Sequence, residues 1–311
     1  MYTDFYNLKE KPFSLLPDPS YLYLSKHHEM ALTMLNYGVQ SQAGVTVISG
    51  EVGSGKTTLT REILNNMGNN ITVGLISNSH SSFGSLLQWV LAAFDIKTEK
   101  QGKAELYQLF TEFLIKEYSE HKRTVLIIDE AQNLDVETLE ELRLLSNINV
   151  DKHLVLQLIL IGQPELLEMM QCHGLRQLAQ RVSVDYKLKA LNYKETVAYI
   201  KHRLVVAGGQ ENLFDKYASA VIYYHSRGVP RLINSLCDFA LVYGFADEQN
   251  KIELSLMISV IKDKLQGGIF PAITKENKEQ VKIRQLILEE KGVDIQPDLK
   301  EVEEESNFSL L

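Results

Sequence analysis

Cysteine is scarce: Cys172 and Cys237 are the only two in 311 residues, they lie far apart, and they form no C-x-x-C pair. This excludes a disulfide scaffold and fits a reducing compartment. The eight histidines show no metal-ligand spacing; His27-His28 is the one close pair, and adjacent helical positions point in different directions. Long apolar runs are also lacking. The longest nearly uninterrupted one, Leu154 to Ile161, already contains Gln157, and crossing a bilayer takes about 20 such residues. Met1 to Glu10 lacks the basic-then-apolar order of a secretory signal. The expected location is cytoplasmic, with room for peripheral attachment at the inner membrane. No dense basic run is present to mark a nucleic-acid surface. The formal net charge is −8; between Glu289 and Glu305 eight acids face Lys291 and Lys300, a net of −6, so the rest of the chain carries only −2. A nearly neutral body argues neither for nor against DNA.

Hydrophobic residues make up 45% of the chain and charged ones 23%. At this length that is enough to bury a full α/β domain with a smaller one beside it. What the chain does contain is a complete phosphate-binding pattern. Gly50-Glu51-Val52-Gly53-Ser54-Gly55-Lys56-Thr57 matches G-x-x-x-x-G-K-[ST] and follows the apolar run Val45 to Ile48. The glycines let the backbone turn where side chains would collide with a polyphosphate, so successive N–H groups form an anion nest. The positive end of the helix beginning near Lys56 faces the same oxygens. Lys56 supplies an ammonium for the β- and γ-phosphates, and the Thr57 hydroxyl can ligate a bridging Mg²⁺. Thr58 follows in the first helical turn.

The surroundings agree with that pattern. Thr58 to Met67 reads as a helix ending at Gly68, Ile71 to Ser77 as a second buried strand ending at Asn78, and 82–94 and 103–119 as helices. Thr124-Val125-Leu126-Ile127-Ile128-Asp129-Glu130 is an apolar strand closed by an acidic pair, the Walker B pattern. Carboxylates abutting a buried strand are expensive to desolvate unless they have a task. Asp129 can hold Mg²⁺, and Glu130 can orient and deprotonate a water aimed at the γ-phosphate. A helix over 135–147, a strand over 154–162 ending in Gln163-Pro164-Glu165, two short helices and a fifth strand, Val182 to Leu188, complete a parallel sheet with its ligand at the strand carboxyl ends.

From Leu191 the pattern becomes wholly helical, with segments at 193–207, 214–226, 230–246 and 253–265. The expected division is 1–43 as an N-terminal segment and helix, 44–190 as the nucleotide-binding core, 191–266 as a helical lid, and 267–311 as a tail with one helix and a disordered acidic end. The aromatic and proline-rich start, Tyr2 to Pro19, either caps one edge of a core or lies against the adenine side of the pocket. In Gly228-Val229-Pro230-Arg231, Pro230 opens a helix and Arg231 could swing onto a phosphate when the lid closes.

A phosphate loop, an Asp-Glu strand end, a polar strand end, an arginine after the next helix and a Gly-x-Pro-Arg in a helical lid, in this order, resemble the AAA+ ATPases. Phe5-Tyr6-x-Leu8-Lys9-Glu10-Lys11-Pro12-Phe13, Pro17-Asp18-Pro19, Tyr21-Leu22-Tyr23-Leu24-Ser25, Asp129-Glu130-Ala131-Gln132 and Ile161-Gly162-Gln163-Pro164-Glu165-Leu166 are similar to the ExeA or general-secretion-pathway protein A family. Its relatives include ATPases of mannose-sensitive haemagglutinin pilus biogenesis and exosortase loci. The resemblance implies an α/β P-loop fold with a parallel five-stranded sheet in an αβα sandwich, followed by a small all-helical lid. It implies ATP and Mg²⁺ as ligands and an ATP-hydrolysing protein that self-assembles, as a ring or another nucleotide-dependent assembly, and serves a membrane-associated secretion, pilus or export component. Residue by residue it makes Gln163 sensor 1, Arg231 sensor 2, Asn78 the polar switch on Glu130, and Arg181 the finger reaching a neighbouring subunit, with Arg176 as its rival. Longer members continue with a membrane helix and a peptidoglycan-binding module, and neither is visible after Leu265.

Two other readings remain: a DNA-associated AAA+ regulator of the transposition type, and a nucleotide switch with negligible turnover, which Glu130 argues against. GTP is disfavoured because no Asn-Lys-x-Asp motif occurs, and no acceptor-substrate site suggests a kinase.

Overall fold

The computed structural model describes residues 1–16, 18–77, 84–97, 99, 102–150, 153–267, 270–271 and 275–296. By its internal contacts the chain divides into two compact units, Lys26–Lys189 and Met1–Ser25 with Ala190–Leu311. In chain order, the single turn α1 is Tyr2–Phe5 and α2 is Lys26–Gln40; β1 is Val45–Gly50, α3 Lys56–Asn66, β2 Ile71–Ile76, α4 Leu86–Ala93, α5 Lys103–Ser119, β3 Arg123–Ile128 and α6 Val136–Leu145. There follow β4 Asn149–Val150, β5 His153–Leu154, β6 Leu156–Gly162, α7 Pro164–Gln171, α8 Arg176–Ala179 and β7 Val182–Leu188.

The 26–189 unit is built on a five-stranded parallel sheet in the order β2-β3-β6-β1-β7. Its strand composition follows from position. β1 and β6, in the interior, are buried along their whole length and read as near-continuous apolar runs, as does β3 apart from its first residue. The edge strand β7 instead alternates, with Val184 and Leu188 buried and Ser183, Asp185 and Lys187 exposed. The period of two sends Leu126, Ile128, Leu156, Leu158 and Leu160 to a core shared with α4 to α8. It sends Val125, Ile127, Ile159 and Ile161 to the opposite core, with Leu35 and Val39 of α2 and Ile63 of α3. Helices therefore cover both faces. The register pairs Ser49 with Gly162 and Ile128 with Leu160, which brings the chain after β1, β3 and β6 out at one end of the sheet.

One element departs from the sequence expectation. The sequence pattern starts the fourth long strand at residue 154, but Leu154 pairs antiparallel with Asn149 in the two-residue hairpin β4–β5, and the long strand starts at Leu156. Strands of two residues are too short to leave a periodic signal.

The other unit is helical: α9 Tyr193–Val206, α10 Lys216–Ser226, α11 Pro230–Ala246, α12 Leu254–Gly267 and α13 Lys278–Lys291. Its core takes in Tyr2, Tyr6, Leu8, Phe13 and Tyr21 from the N-terminal segment. The buried Arg203 of α9 fastens that segment. Its Nε donates to Pro12 O at 2.5 Å, Nη2 to Ser14 O at 3.4 Å, and its guanidinium lies 4.7 Å from the Tyr21 ring centroid. Residues 1–25 and 26–43, grouped together from sequence, thus belong to different units. The segment 275–296 is likewise part of this unit: Ile283, Ile287 and Ile295 are buried in its core, Gln280 Nε2 donates to Tyr224 O at 2.7 Å, and Arg284 binds Asp294. The acidic run therefore begins within ordered structure; its remainder, expected to be disordered, lies outside the described residues. Among the described residues no helix is long and apolar enough to cross a membrane.

Candidate nucleotide site

The loop between β1 and α3 has the conformation that its glycines allow. Gly53 and Gly55 take φ of +74° and +99°, and Gly55 caps α3 without any side-chain hydrogen bond. The N–H groups of Thr58 and Leu59 both donate to Gly55 O at 3.1 Å, while those of Lys56 and Thr57 precede the first such bond and are the ones that can meet an anion. At Gly50 a Cβ would stand 2.8 Å from Ser54 Oγ and 3.1 Å from Leu188 Cβ. Ser54 Oγ is buried and has no hydrogen-bond partner among the described residues. Beneath the loop, His28 of α2 is buried and its Nε2 donates to Ser54 O at 3.0 Å, the tautomer following from the carbonyl acceptor. Its neighbour His27 turns away, with Nδ1 2.9 Å from Tyr186 Oη.

Lys56 is buried at the start of α3, and its ammonium donates to Gly50 O at 2.8 Å and Glu51 O at 3.0 Å. Burial lowers its pKa, opposed by the charges of Glu130, Asp129, Glu51 and Glu165. Asp129, directly after β3, is buried as well. Burial raises its pKa, opposed by the Glu130 N–H at 3.0 Å, the Thr57 hydroxyl and Lys56. The Thr57–Asp129 contact brings the start of α3 against the carboxyl end of β3. The Thr57 hydroxyl and the Asp129 carboxylate are hard oxygen donors of the type that would hold Mg²⁺.

Glu130 follows in a left-handed conformation, φ +54°, where a residue other than glycine is uncommon. Its side chain meets two amides: Gln132 Nε2 donates to Glu130 Oε2 at 2.6 Å, and Gln163 Nε2 to the same oxygen at 3.4 Å. Gln132 Oε1 in turn accepts from the Gln163 N–H at 2.9 Å. Lys56, Thr57, Asp129, Glu130 and Gln163, far apart in sequence, thus form one polar cluster at the strand carboxyl ends.

A model of the AAA domain matches residues 39–170. The chain is 40% identical over 282 residues to general secretion pathway protein A of Aeromonas hydrophila, covering 88% of this chain and 52% of that one. Over these spans the chain is similar to the AAA+ proteins of the general secretion pathway protein A type. This AAA+ protein spans about half the length of that curated relative. Its fold is similar to that of ORC2 from Aeropyrum pernix, in complexes with ADPNP and ADP, at a TM-score of 0.61 and 15% identity over 95% of this chain and 87% of the other. Cdc6p of Pyrobaculum aerophilum gives 0.62 and 14% over 83% and 73%. At such identities the likeness is one of fold.

The remaining sequence candidates of this AAA+ protein fall elsewhere. Arg181 precedes β7, at the strand ends opposite the phosphate loop and a strand length of roughly 20 Å away; its Nη1 donates to Ser146 O at 3.5 Å. Arg176 is exposed on α8. Arg231 is exposed at the start of α11, in the helical unit. Asn78 lies outside the described residues. Two contributors escaped sequence reasoning. His28 carries no sequence signal beyond its pairing with His27, and for Gln132 the available signal is a polar residue two positions after the acidic pair.

Proposed function

We propose that this chain binds ATP with Mg²⁺, hydrolyses it to ADP and phosphate, and self-assembles to drive or regulate assembly of a secretion, pilus or polysaccharide export system. The observation that carries the reading is the convergence of Lys56, Thr57, Asp129, Glu130 and Gln163 at the carboxyl end of one parallel sheet. Thr57 and Asp129 would hold Mg²⁺, which would supply neutralising charge at the phosphates. Lys56 exchanges its two loop carbonyls for phosphate oxygens. Glu130 takes the proton of the attacking water, and Gln163, already against the Glu130 carboxylate, fixes the same region. The secretion, pilus or export role rests on the relative's name and on the 40% identity to it.

Self-assembly is supported by the position of Arg181, which is too far from its own loop to serve it. In a neighbouring subunit it would supply charge to the γ-phosphate, leaving a monomer with an incomplete site. Arg231 is assigned the sensor 2 role, and Asn78 that of the switch on Glu130.

The test is the ATPase rate per subunit against protein concentration, with and without DNA, alongside light scattering. A rate and mass that rise with concentration and ignore DNA support the reading; a rise only with DNA replaces it with the transposition-type regulator. Glu130→Gln should retain ATP and lose turnover by about 10²-fold or more, and Arg181→Ala should bind ATP normally without activation by concentration. Unchanged turnover in Glu130→Gln refutes the assignment of the base.

A further inference from the structure

The Gln132 side chain joins two parts of the site through one amide. Its nitrogen donates to Glu130 Oε2 at 2.6 Å, while its oxygen accepts the backbone N–H of Gln163 at 2.9 Å. The chain around it makes room for this bridge. Gly162 ends β6 beside it, and a Cβ there would stand 2.9 Å from Gln132 Oε1 and 2.9 Å from Leu166 Cδ2. Gln132 sits in the short 3-10 turn Ala131–Asn133, which Glu130 enters through its left-handed backbone. That backbone conformation costs on the order of 1 kcal/mol for a residue other than glycine. Among the described residues both hydrogen bonds to the Glu130 carboxylate fall on Oε2. Oε1 is thereby the oxygen left to accept from a water.

We infer that Gln132 is a positioning residue for hydrolysis, a clasp that ties the Glu130 carboxylate to the Gln163 backbone and so fixes which carboxylate oxygen faces the attacking water. The inference rests on the proposed role of Glu130 as base. Without the amide, Glu130 keeps only the longer 3.4 Å contact with the Gln163 side chain, and its χ angles are free to carry Oε1 out of line. A displacement of about 1 Å at a reacting group costs up to roughly 10²-fold in rate. Nucleotide affinity resides in the loop amides, Lys56 and the Mg²⁺ ligands, none of which Gln132 touches.

The test uses the full chain carrying Gln132→Met, close in length but without donor or acceptor, with Glu130→Gln and the double variant. Nucleotide affinity is measured with a non-hydrolysable ATP analogue and turnover at saturating ATP. The expected result for Gln132→Met is a 10- to 100-fold lower kcat with analogue affinity within about twofold of the parent. In the Glu130→Gln background the same substitution should cause no further loss, because the clasp acts only through that carboxylate. The inference is overturned by a kcat within twofold of the parent, by an equal loss of affinity, or by a loss that persists undiminished without Glu130. If Glu130→Gln itself turns over normally, it is the reading of the base that fails, and that outcome is separate. Should Gln132→Met lower the melting temperature too far for assay, Gly162→Ala carries the test. Its new methyl displaces Gln132 Oε1, and it should reproduce the same split between kcat and affinity.

Discussion

Replacing Gly228 by alanine should destabilise the helical unit strongly, whereas the same change at Gly292 should cost little. Both glycines are left-handed, with φ of +76° and +68°, so each alanine bears the same backbone penalty, about 1 kcal/mol. Their surroundings differ. A Cβ at Gly228 would overlap the backbone carbonyl oxygen of Leu191 and also press on its nitrogen, while nothing lies within 4 Å of a Cβ at Gly292. The Leu191 carbonyl would have to retreat by more than about 1 Å inside a packed core, at about 1–3 kcal/mol. The hydrogen bond from Leu191 N to Gly228 O, now 2.9 Å, would stretch or break at about 1 kcal/mol more. The sum is about 3–5 kcal/mol at Gly228 against about 1 at Gly292. For a unit of this size that corresponds to melting temperatures roughly 10 °C and 2–4 °C lower. Calorimetry together with far-UV circular dichroism is the suitable assay, because two units need not melt as one transition. Penalties for the two variants that agree within 1 kcal/mol would refute the reasoning.

Three further outcomes are expected. Lys56→Ala removes the ammonium now shared by Gly50 O and Glu51 O; with one or two charge-assisted bonds lost at about 1.5–3 kcal/mol each, ATP affinity should fall at least tenfold in a calorimetric titration. His28→Ala removes the brace on Ser54 O beneath the loop, so affinity should fall about 3- to 10-fold in the same titration, while His27→Ala should leave it unchanged. Burial pushes the pKa of His225 down to about 4, partly offset by the hydrogen bond that its Nε2 donates to Ile295 O at 3.2 Å. A histidine whose folded pKa is lowered binds its proton more readily when unfolded. The helical unit should therefore lose up to roughly 3 kcal/mol as pH falls from about 6.5 to about 4. Thermal melts across that window check this, and His225→Gln should flatten the slope.

Much of the sheet unit was legible in the sequence because its signals are local. Interior parallel strands are apolar along their length, so β1 and β3 could be read nearly to the residue, as could the helix α5 from its own period. The glycine-rich loop and the acidic pair were legible because each sets its residue types at a fixed local spacing. The hairpin β4–β5 was not legible, since four residues carry no period.

The sequence by itself determined the residue types that can meet a nucleotide, and the order in which the strands carrying them occur. Only the tertiary structure decided which residues stand together. The parallel register brought Gln163 to Glu130 across 33 positions of sequence, and one side-chain amide, that of Gln132, closed the gap between them. It set His28 rather than His27 under the phosphate loop, because neighbouring residues on a helix face different directions. It also gave residues 1–25 to the helical unit through the buried Arg203. Such contacts depend on distances between elements far apart along the chain, and no local pattern encodes those distances.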